Sequence, residues 1–260
     1  TRWCVRSRGL GDVYKRQVAG ELEREDTRAL LQEVPEVYHT QINDALLTAL
    51  VDVLAPWSQQ DTVCLDLEGH GREELFEDVD LSRTVGWFTS IFPVVLKRGH
   101  PANPGDLIKS VKEQLRQSPH RGIGYGLLRY LSDDREIRER LGERPEPEVA
   151  FNYLGQFDQV IASDGRWTSS GVSGGANRHP PGKQPYLVAI NARVMDCVLQ
   201  VRWSYSEAVH RRETIERLAD DYLAALLAII RHCQSPEAGG YTPSDFPLAG
   251  LSQEDLEKLQ

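Results

Sequence analysis

A cluster of ionisable residues follows directly on a stretch in which apolar and polar residues alternate. The segment LDLEGHGRE, residues 65–73, contains Glu68, His70, Arg72 and Glu73, with glycines spaced between the first three of them. Glycine has no Cβ and adopts backbone angles that other residues avoid, so this spacing predicts a tight turn. A partly buried carboxylate beside such a turn can have its pKa raised toward the range that suits a general base. The segment therefore indicates proton-transfer chemistry, with Glu68 as the principal group.

The residues before this cluster have the periodicity of a strand. Leu65 and Leu67 alternate with polar residues, which places Glu68 on the opposite face, where the strand gives way to a loop. A cation such as Arg72 could balance the carboxylate there. A solvated turn after a strand has the same composition, however, and a histidine such as His70 beside an arginine fits a structural hydrogen bond equally well. Both interpretations stay open at this point.

The segment FNYLGQFD, residues 151–158, is a second candidate. It predicts a strand that runs into a turn at Gly155, and Asn152 and Tyr153 offer hydrogen-bond donors that could stabilise a developing oxyanion. The alternative is an ordinary strand with a tyrosine in the core.

Motifs of other chemistries are weak or absent. The segment GIGYG, residues 122–126, follows a predicted helix rather than a strand, so it does not fit a dinucleotide-binding fingerprint. The segment GGANRHPPGKQ lacks the spacing of a phosphate-binding loop, and Ser169 and Ser170 lie in no nucleophile elbow. Histidine and acidic residues do not occur at metal-ligand spacing, so we predict no metal site.

Composition restricts the class of protein. The 260 residues carry a net charge of −9, which argues against a nucleic-acid surface, and no apolar run reaches the length of a membrane span. The four cysteines are scattered without a CxxC pair, which disfavours a disulfide framework or a zinc site and favours a reducing cytoplasm. They are Cys4, Cys64, Cys197 and Cys233.

The order of the predicted elements favours one α/β layered domain, a mixed sheet covered by helices. A helix over 20–33 is stopped by Pro35, a helix over 40–57 is capped by Asn43 or Asp44, and a further helix over 125–141 breaks near Ser132. Pro93 limits its extended segment to an edge or a break. The remaining predicted elements are strands at 62–68, 87–98, 147–157, 186–194 and 197–206, helices at 104–119 and 211–233, and a long loop at 163–185.

Both ends of the chain differ from the rest. Residues 1–17 hold five basic residues and one acidic residue, show no sustained period and resemble translated adaptor or vector sequence. We predict that they are a non-native leader; an authentic basic tail is the alternative. The first residue is not Met, which indicates a fragment. Residues 18–234 form the predicted domain, and residues 235–260 are punctuated by Gly and Pro and predict an exit linker.

Five segments, taken in order, resemble the epimerization domains of nonribosomal peptide synthetases, which belong to the condensation-domain superfamily. They are NDALLTAL (43–50), EGHGRE (68–73), RTVGWFTSIFPVVL (83–96), GIGYG (122–126) and FNYLGQFD (151–158). The closing YTPSDFPLAGLSQEDLEKL looks like the exit linker of that family. Each motif alone is weak to moderate, but the ordered set is specific, and the resemblance covers residues 18–260.

The resemblance implies a fold like that of chloramphenicol acetyltransferase, with two related α/β lobes and a tunnel between them. It also implies inversion of the Cα of an aminoacyl or peptidyl thioester that hangs on the 4′-phosphopantetheine arm of a carrier domain. No cofactor would be bound directly, and the implied partners are the carrier domain and the adjacent synthetase modules. The chemistry is reasonable, because a thioester carbonyl acidifies the neighbouring C–H and the resulting enolate needs polar stabilisation.

By the same resemblance Glu68 is an acid/base, Arg72 orients or balances its carboxylate, and Tyr153 completes the catalytic set. Substrate-binding roles fall to Asn152, His70 and Trp87. The opposing acid/base in the family is a histidine of an HHxxxDG motif, and the seven histidines of this chain are never paired. The resemblance thus implies a C-terminal lobe whose N-terminal lobe is missing, inactive alone.

Two other functions stay open. A condensation domain shares the fold but joins two carrier-bound substrates through an amide. A module that only docks carrier domains would keep the fold without catalysis.

Overall fold

A six-stranded mixed sheet is the centre of the computed structural model, which describes residues 15–73, 75–157 and 185–258. Its strands are β1 (Lys15–Glu21), β2 (Thr62–Gly69), β3 (Ser90–Lys97), β4 (Val149–Gln156), β5 (Val188–Met195) and β6 (Val198–Ser206). The order across the sheet is β1-β6-β5-β4-β2-β3. Strand β4 is parallel to both of its neighbours, β2 and β5, and the other three pairs are antiparallel.

The helices connect these strands. They are α1 (Arg24–Tyr38), α2 (Ile42–Ser58), α3 (Pro104–Arg116), the short α4 (Gly124–Gly126), α5 (Arg135–Gly142), α6 (Arg212–Cys233) and α7 (Gln253–Glu257). A π-helical segment, Leu127–Leu131, separates α4 from α5, and 3₁₀ turns lie at Pro119–Gly122 and Pro243–Asp245. None of the helices within the described ranges is long and apolar enough to cross a membrane.

The core lies between the helices and one face of the sheet. Alternate residues of each strand point to this face, and the apolar ones, such as Leu65, Phe151 and Trp203, are fully buried there. Helix α2 contacts both β2 and α6, which explains why it is apolar around most of its circumference. The opposite face carries polar residues at the intervening positions, including Asp66 and Glu68, and these remain partly exposed.

The predicted α/β fold class is confirmed, and most elements lie where periodicity predicts them. The segment with Pro93 forms β3, which is an edge strand of the sheet, as its proline requires. The predicted helix break near Ser132 separates the π-helical segment from α5. The predicted loop over 163–185 lies outside the described residues, apart from Pro185.

The sequence predicted that Pro35 stops the first helix, but α1 continues through Pro35. Proline lacks one backbone donor, but the helix continues to Tyr38 because Val34 and Tyr38 are both buried in the core. His39 then adopts a left-handed conformation, and its N–H donates to the Pro35 carbonyl oxygen. Burial of two large side chains therefore outweighs the local penalty of the proline.

The start of α2 is capped by a different residue from either of the two predicted. Gln41 is the N-cap residue, and the Asp44 carboxylate accepts a hydrogen bond from its backbone N–H at 2.7 Å. Asn43 and Asp44 both lie within the first helical turn, so the prediction that one of them is the N-cap was wrong. The carboxylate supports the helix start from the third position instead.

Strand β1 overlaps the segment that the sequence sets aside as a leader. Residues 15–17 pair with β6, and Arg16 lies opposite Tyr205. Excluding these three residues from the fold was therefore wrong, and the boundary drawn after residue 17 falls inside a strand. Residues 1–14 lie outside the described residues, and the idea that the leader is non-native stays a prediction.

Two adjacent valines of β3 test the assignment of the sheet faces. Val94 is 5% exposed, whereas Val95 is 63% exposed on the opposite face. We expect Val94→Ala to lower the free energy of unfolding by about 1–3 kcal/mol through lost burial and a residual cavity. Val95→Ala should change it by only about 0.5 kcal/mol. Urea unfolding of both variants measures the difference, and equal losses would contradict the strand register described above.

Candidate active site

The parallel pairing of β2 and β4 brings two polar side chains together on one face of the sheet. Leu67 lies opposite Phe151 in this pairing, so the next residues along, Glu68 and Asn152, are neighbours on the same face. The Asn152 side-chain nitrogen donates a hydrogen bond to Glu68 Oε2 at 2.6 Å. A donor from the neighbouring strand therefore holds the carboxylate in position.

A cavity of about 580 Å³ contains this pair. Its walls come from the ends of β2 and β4, the start of α2, the end of α3, and the segments that follow β2 and α3. Five of the six predicted site residues line it: Glu68, His70, Trp87, Asn152 and Tyr153. The volume lies within the range of small-molecule sites in proteins.

Arg72 does not join this group. Its guanidinium donates hydrogen bonds to the carbonyl oxygens of Thr84 and Gly86, both at 3.1 Å, and lies 4.7 Å from the centre of the Phe88 ring. The expected contact with Glu68 is therefore replaced by contacts with the loop that precedes β3. A guanidinium needs several acceptors in a plane, and the loop carbonyls supply them. Arg72 consequently shapes the loop that carries Trp87.

His70 stabilises the turn as well as lining the cavity. Its Nδ1 accepts a hydrogen bond from the Arg72 backbone N–H at 2.9 Å, and its Nε2 lies 3.3 Å from Glu73 Oε1. Glu73 Oε2 also lies 3.6 Å from Arg121 Nε. Both ring nitrogens are thus engaged within the turn, which favours the structural interpretation of His70.

Tyr153 presents a buried hydroxyl with no hydrogen-bond partner among the residues that the structure describes. Burial raises the pKa of this phenol above its ordinary value, so the group stays protonated at neutral pH. A neutral phenol can donate a hydrogen bond to an oxyanion but cannot act as a base. The hydroxyl is closed to solvent, so a substrate would reach it only after a small movement of the wall.

Trp87 lies at the rim of the cavity and is 88% exposed. Other large apolar side chains are exposed in the same loop and in the nearby β3 and β4. We call these residues the rim patch: Val85, Trp87, Phe88, Ile91 and Leu154. Exposed apolar surface of this kind is typical of surfaces that contact another protein segment.

An ion pair in the cavity wall had no counterpart in the sequence predictions. Arg116 donates two hydrogen bonds to the Asp44 carboxylate, at 3.0 and 2.7 Å, and the Asp44 side chain is 1% exposed. The pair joins the end of α3 to the start of α2. Asp44 belongs to a matching family segment, but its partner lies 72 residues further along the chain, so no local pattern could reveal the contact.

A second cavity, of about 720 Å³, lies beside the first and is partly lined by the π-helical segment. Asp66 lines it and accepts a hydrogen bond from the Tyr186 hydroxyl at 2.8 Å. Burial raises the pKa of Asp66, although the Tyr186 hydrogen bond and the charge of Arg129 oppose that effect. In the described part of the chain, no three His, Cys, Asp or Glu residues cluster in a way that could hold a metal ion.

Comparison with known proteins assigns this chain and its fold to a family. The model of the condensation domain family matches residues 7–249. Linear gramicidin synthase subunits C and B of Brevibacillus parabrevis are 50% and 47% identical over 244 and 250 residues, and each match covers 94% of this chain. A crystal structure of the epimerization domain from the third module of tyrocidine synthetase B matches with a TM-score of 0.78 and 37% identity.

The chain therefore belongs to the condensation domain family, as a domain of the nonribosomal peptide synthetase type. The structural match confirms the predicted fold class. The matched part covers 86% of this chain and 50% of the solved epimerization domain, and the chain spans 3% and 5% of the two gramicidin synthase subunits.

Gly71 provides a test of the turn beside Glu68. Its φ is +66°, and a Cβ at this position would overlap the Phe88 carbonyl oxygen. Gly99 has a similar φ of +63°, and a Cβ there would meet nothing within 4 Å, so it is a matched control. We expect Gly99→Ala to cost about 1–2 kcal/mol from the backbone alone, and Gly71→Ala to cost more, because the Phe88 backbone must also move. Urea unfolding of the two variants measures this difference, and equal costs would contradict the close approach.

Asn152→Asp tests the contact with Glu68 through its pH dependence. The substitution places a second carboxylate within hydrogen-bond distance of Glu68, so one of the two acids should bind a proton with a raised pKa. The folded state then binds more protons than the unfolded state. The variant should therefore lose stability relative to wild type as the pH rises through that pKa, and recover it as the pH falls.

The measurement for this variant is the free energy of unfolding against pH. Asn191→Asp is the control, because Asn191 pairs with Asn152 in the register and carries the same new charge one strand further from Glu68. A pH dependence of equal size in both variants would argue against a direct contact between positions 68 and 152.

Proposed function

We propose that this chain forms part of an epimerization domain of a nonribosomal peptide synthetase. The reaction would invert the Cα of an aminoacyl or peptidyl group held as a thioester on a carrier domain. The observation that carries the proposal is the Glu68–Asn152 pair inside a cavity large enough for an aminoacyl thioester. The likeness to a solved epimerization domain, at 37% identity, adds support.

Glu68 is the acid/base in this proposal. Its carboxylate removes the Cα proton, and the electron pair of that C–H bond moves into the thioester carbonyl to give an enolate. Glu68 keeps the proton that it has removed. A second acid on the other side of the substrate donates a different proton to the opposite face of the same carbon, as the electron pair moves back from the enolate oxygen. No oxidant, reductant or second substrate is needed, because the substrate and product are stereoisomers.

Asn152 serves as the positioning residue for Glu68. Its side chain donates to Glu68 Oε2 and so fixes the direction in which the carboxylate faces the Cα proton. Tyr153 contributes a neutral hydroxyl in the same wall, which suits donation to the enolate oxygen. The Asp44–Arg116 pair keeps the wall opposite these strands in place.

Inversion also requires a second acid/base on the other side of the substrate. None of the seven histidines of this chain occurs in a pair. The matched part of the chain covers half of the solved epimerization domain. We infer that the other half of the domain supplies the second group, and that it covers the rim patch around Trp87.

The substrate would reach the cavity on a phosphopantetheine arm from a carrier domain. This arm is the only cofactor in the proposal, and it belongs to the carrier rather than to this chain. Adjacent synthetase modules would deliver the substrate and receive the product. The match to the condensation domain family keeps amide formation between two carrier-bound substrates as a second candidate.

Glu68→Gln tests the proposal in the two-lobe domain, assembled from this chain and an N-terminal half, with an aminoacyl-loaded carrier as the substrate. We expect the variant to lower Cα exchange with deuterated solvent by at least about 100-fold, because glutamine cannot take up the proton. Asp66→Asn is the matched control, since Asp66 lies two residues earlier on the same strand face but outside the cavity of Glu68. The control should keep most of the exchange activity.

Chiral analysis of the released amino acid completes the experiment. Exchange together with a mixture of L and D products supports epimerization. Exchange that persists in Glu68→Gln removes this residue from the role of acid/base. Amide formation with a second loaded carrier, without Cα exchange, would instead identify a condensation domain.

A further inference from the structure

The predicted exit linker packs tightly on the domain in its first part. Residues 241–246, which we call the clasp, lie against the end of α1 and one face of α3. Thr242 is fully buried, and the Tyr241 ring stacks on the His39 ring with their centres 4.9 Å apart. Ser244 contributes its backbone N–H and its hydroxyl, both of which donate to Glu113 Oε1, at 3.2 and 2.5 Å.

A buried lysine anchors the clasp. Lys112 of α3 is 1% exposed, and its ammonium donates to Asp245 Oδ1 at 2.6 Å and to the Tyr38 carbonyl oxygen at 2.9 Å. A buried ammonium is costly unless an anion and other acceptors surround it. Asp245 is the acid in contact with Lys112 among the described residues, so the domain relies on the clasp to neutralise this charge.

Asp245 is itself held in place by the clasp. Its second oxygen, Oδ2, accepts hydrogen bonds from the Thr242 backbone N–H at 2.8 Å and from the Thr242 hydroxyl at 3.2 Å. The 3₁₀ turn between these residues therefore presents the carboxylate to Lys112 in a fixed orientation. A flexible linker would have no reason to bury a residue such as Thr242.

The clasp is one helical turn away from the cavity. Lys112 and Arg116 are four residues apart on α3, which places them on the same side of the helix. Arg116 binds Asp44 in the cavity wall. A second connection runs through the turn between α1 and α2. His39 of this turn stacks on the Tyr241 ring of the clasp. Gln41, two residues later, is the N-cap residue of α2 and lines the cavity.

We propose that the clasp is an integral brace of the domain, which holds α3 and the start of α2 in the geometry of the cavity wall. The segment acts on the cavity through Lys112 and through the turn that joins α1 to α2. The chain beyond residue 246 consequently departs from a fixed point near the cavity, rather than from the end of α6. This inference does not depend on which reaction the cavity performs.

Two aspartates of the tail allow a matched test. Asp245 and Asp255 occupy the third position of capping boxes that begin at Thr242 and Ser252, but only Asp245 contacts a buried lysine in the described structure. Asp245→Asn and Asp255→Asn therefore make the same chemical change in the same kind of turn. Any extra effect of Asp245→Asn reports on the contact with Lys112.

The measurements on the whole chain are thermal unfolding and hydrogen–deuterium exchange of peptides over 38–44 and 112–117. We expect Asp245→Asn to lower the midpoint by at least about 5 °C. Exchange in both wall peptides should rise by about tenfold or more. Asp255→Asn should leave both readouts close to wild type.

Equal effects of the two aspartate variants would overturn the proposal. Faster exchange confined to residues 239–258, with the wall peptides unchanged, would overturn it as well, because the clasp would then have no effect on the cavity wall. If Asp245→Asn does not fold, the double variant Lys112→Met/Asp245→Asn removes the buried charge together with its partner. The double variant should fold and still show faster exchange in the wall peptides, and wild-type exchange there would contradict the brace.

Discussion

The candidate site depends on the register between β2 and β4. Leu65, Leu67 and Phe151 are buried on the face of the sheet that the helices cover. Glu68 and Asn152 therefore lie on the opposite face, as neighbours on adjacent strands. If one strand shifted by one residue relative to the other, its polar side chain would point into the core. The free-energy cost of burying that polar group disfavours the shifted register. The same hydrophobic burial that forms the sheet therefore sets the distance between the two polar groups.

Helix α3 is positioned by charge as well as by apolar packing. Lys112 and Arg116 project from successive turns, and each binds a carboxylate from a distant part of the chain, Asp245 and Asp44. Apolar contacts tolerate sliding by a fraction of an ångström, whereas a bidentate ion pair has one good geometry. The two ion pairs therefore fix the position of α3 along and around its axis, which the amphipathic pattern of the helix alone does not determine.

Local patterns predicted the elements well and the contacts between them poorly. Alternation identified β2, and helical spacing identified α2, α3 and α6, because these signals lie within one segment. The end predicted for α1 at Pro35 failed because burial of Tyr38 is a tertiary effect. Arg72 was assigned to Glu68 from proximity in sequence, but its partners are main-chain carbonyls of a later loop. The resemblance to a family gave Asn152 a substrate-binding role, but its placement beside Glu68 required the strand register, since 84 residues separate the two.

Trp87 has a consequence for spectroscopy. Its indole is almost wholly in water at the rim of the cavity, whereas that of Trp203 is fully buried in the core. The fluorescence of Trp87 therefore arises in a polar, aqueous environment, and that of Trp203 arises in an apolar one. Any polypeptide that settles over the rim transfers the indole of Trp87 to a drier environment and shifts its emission to the blue, so the chain carries an intrinsic fluorescent reporter of closure.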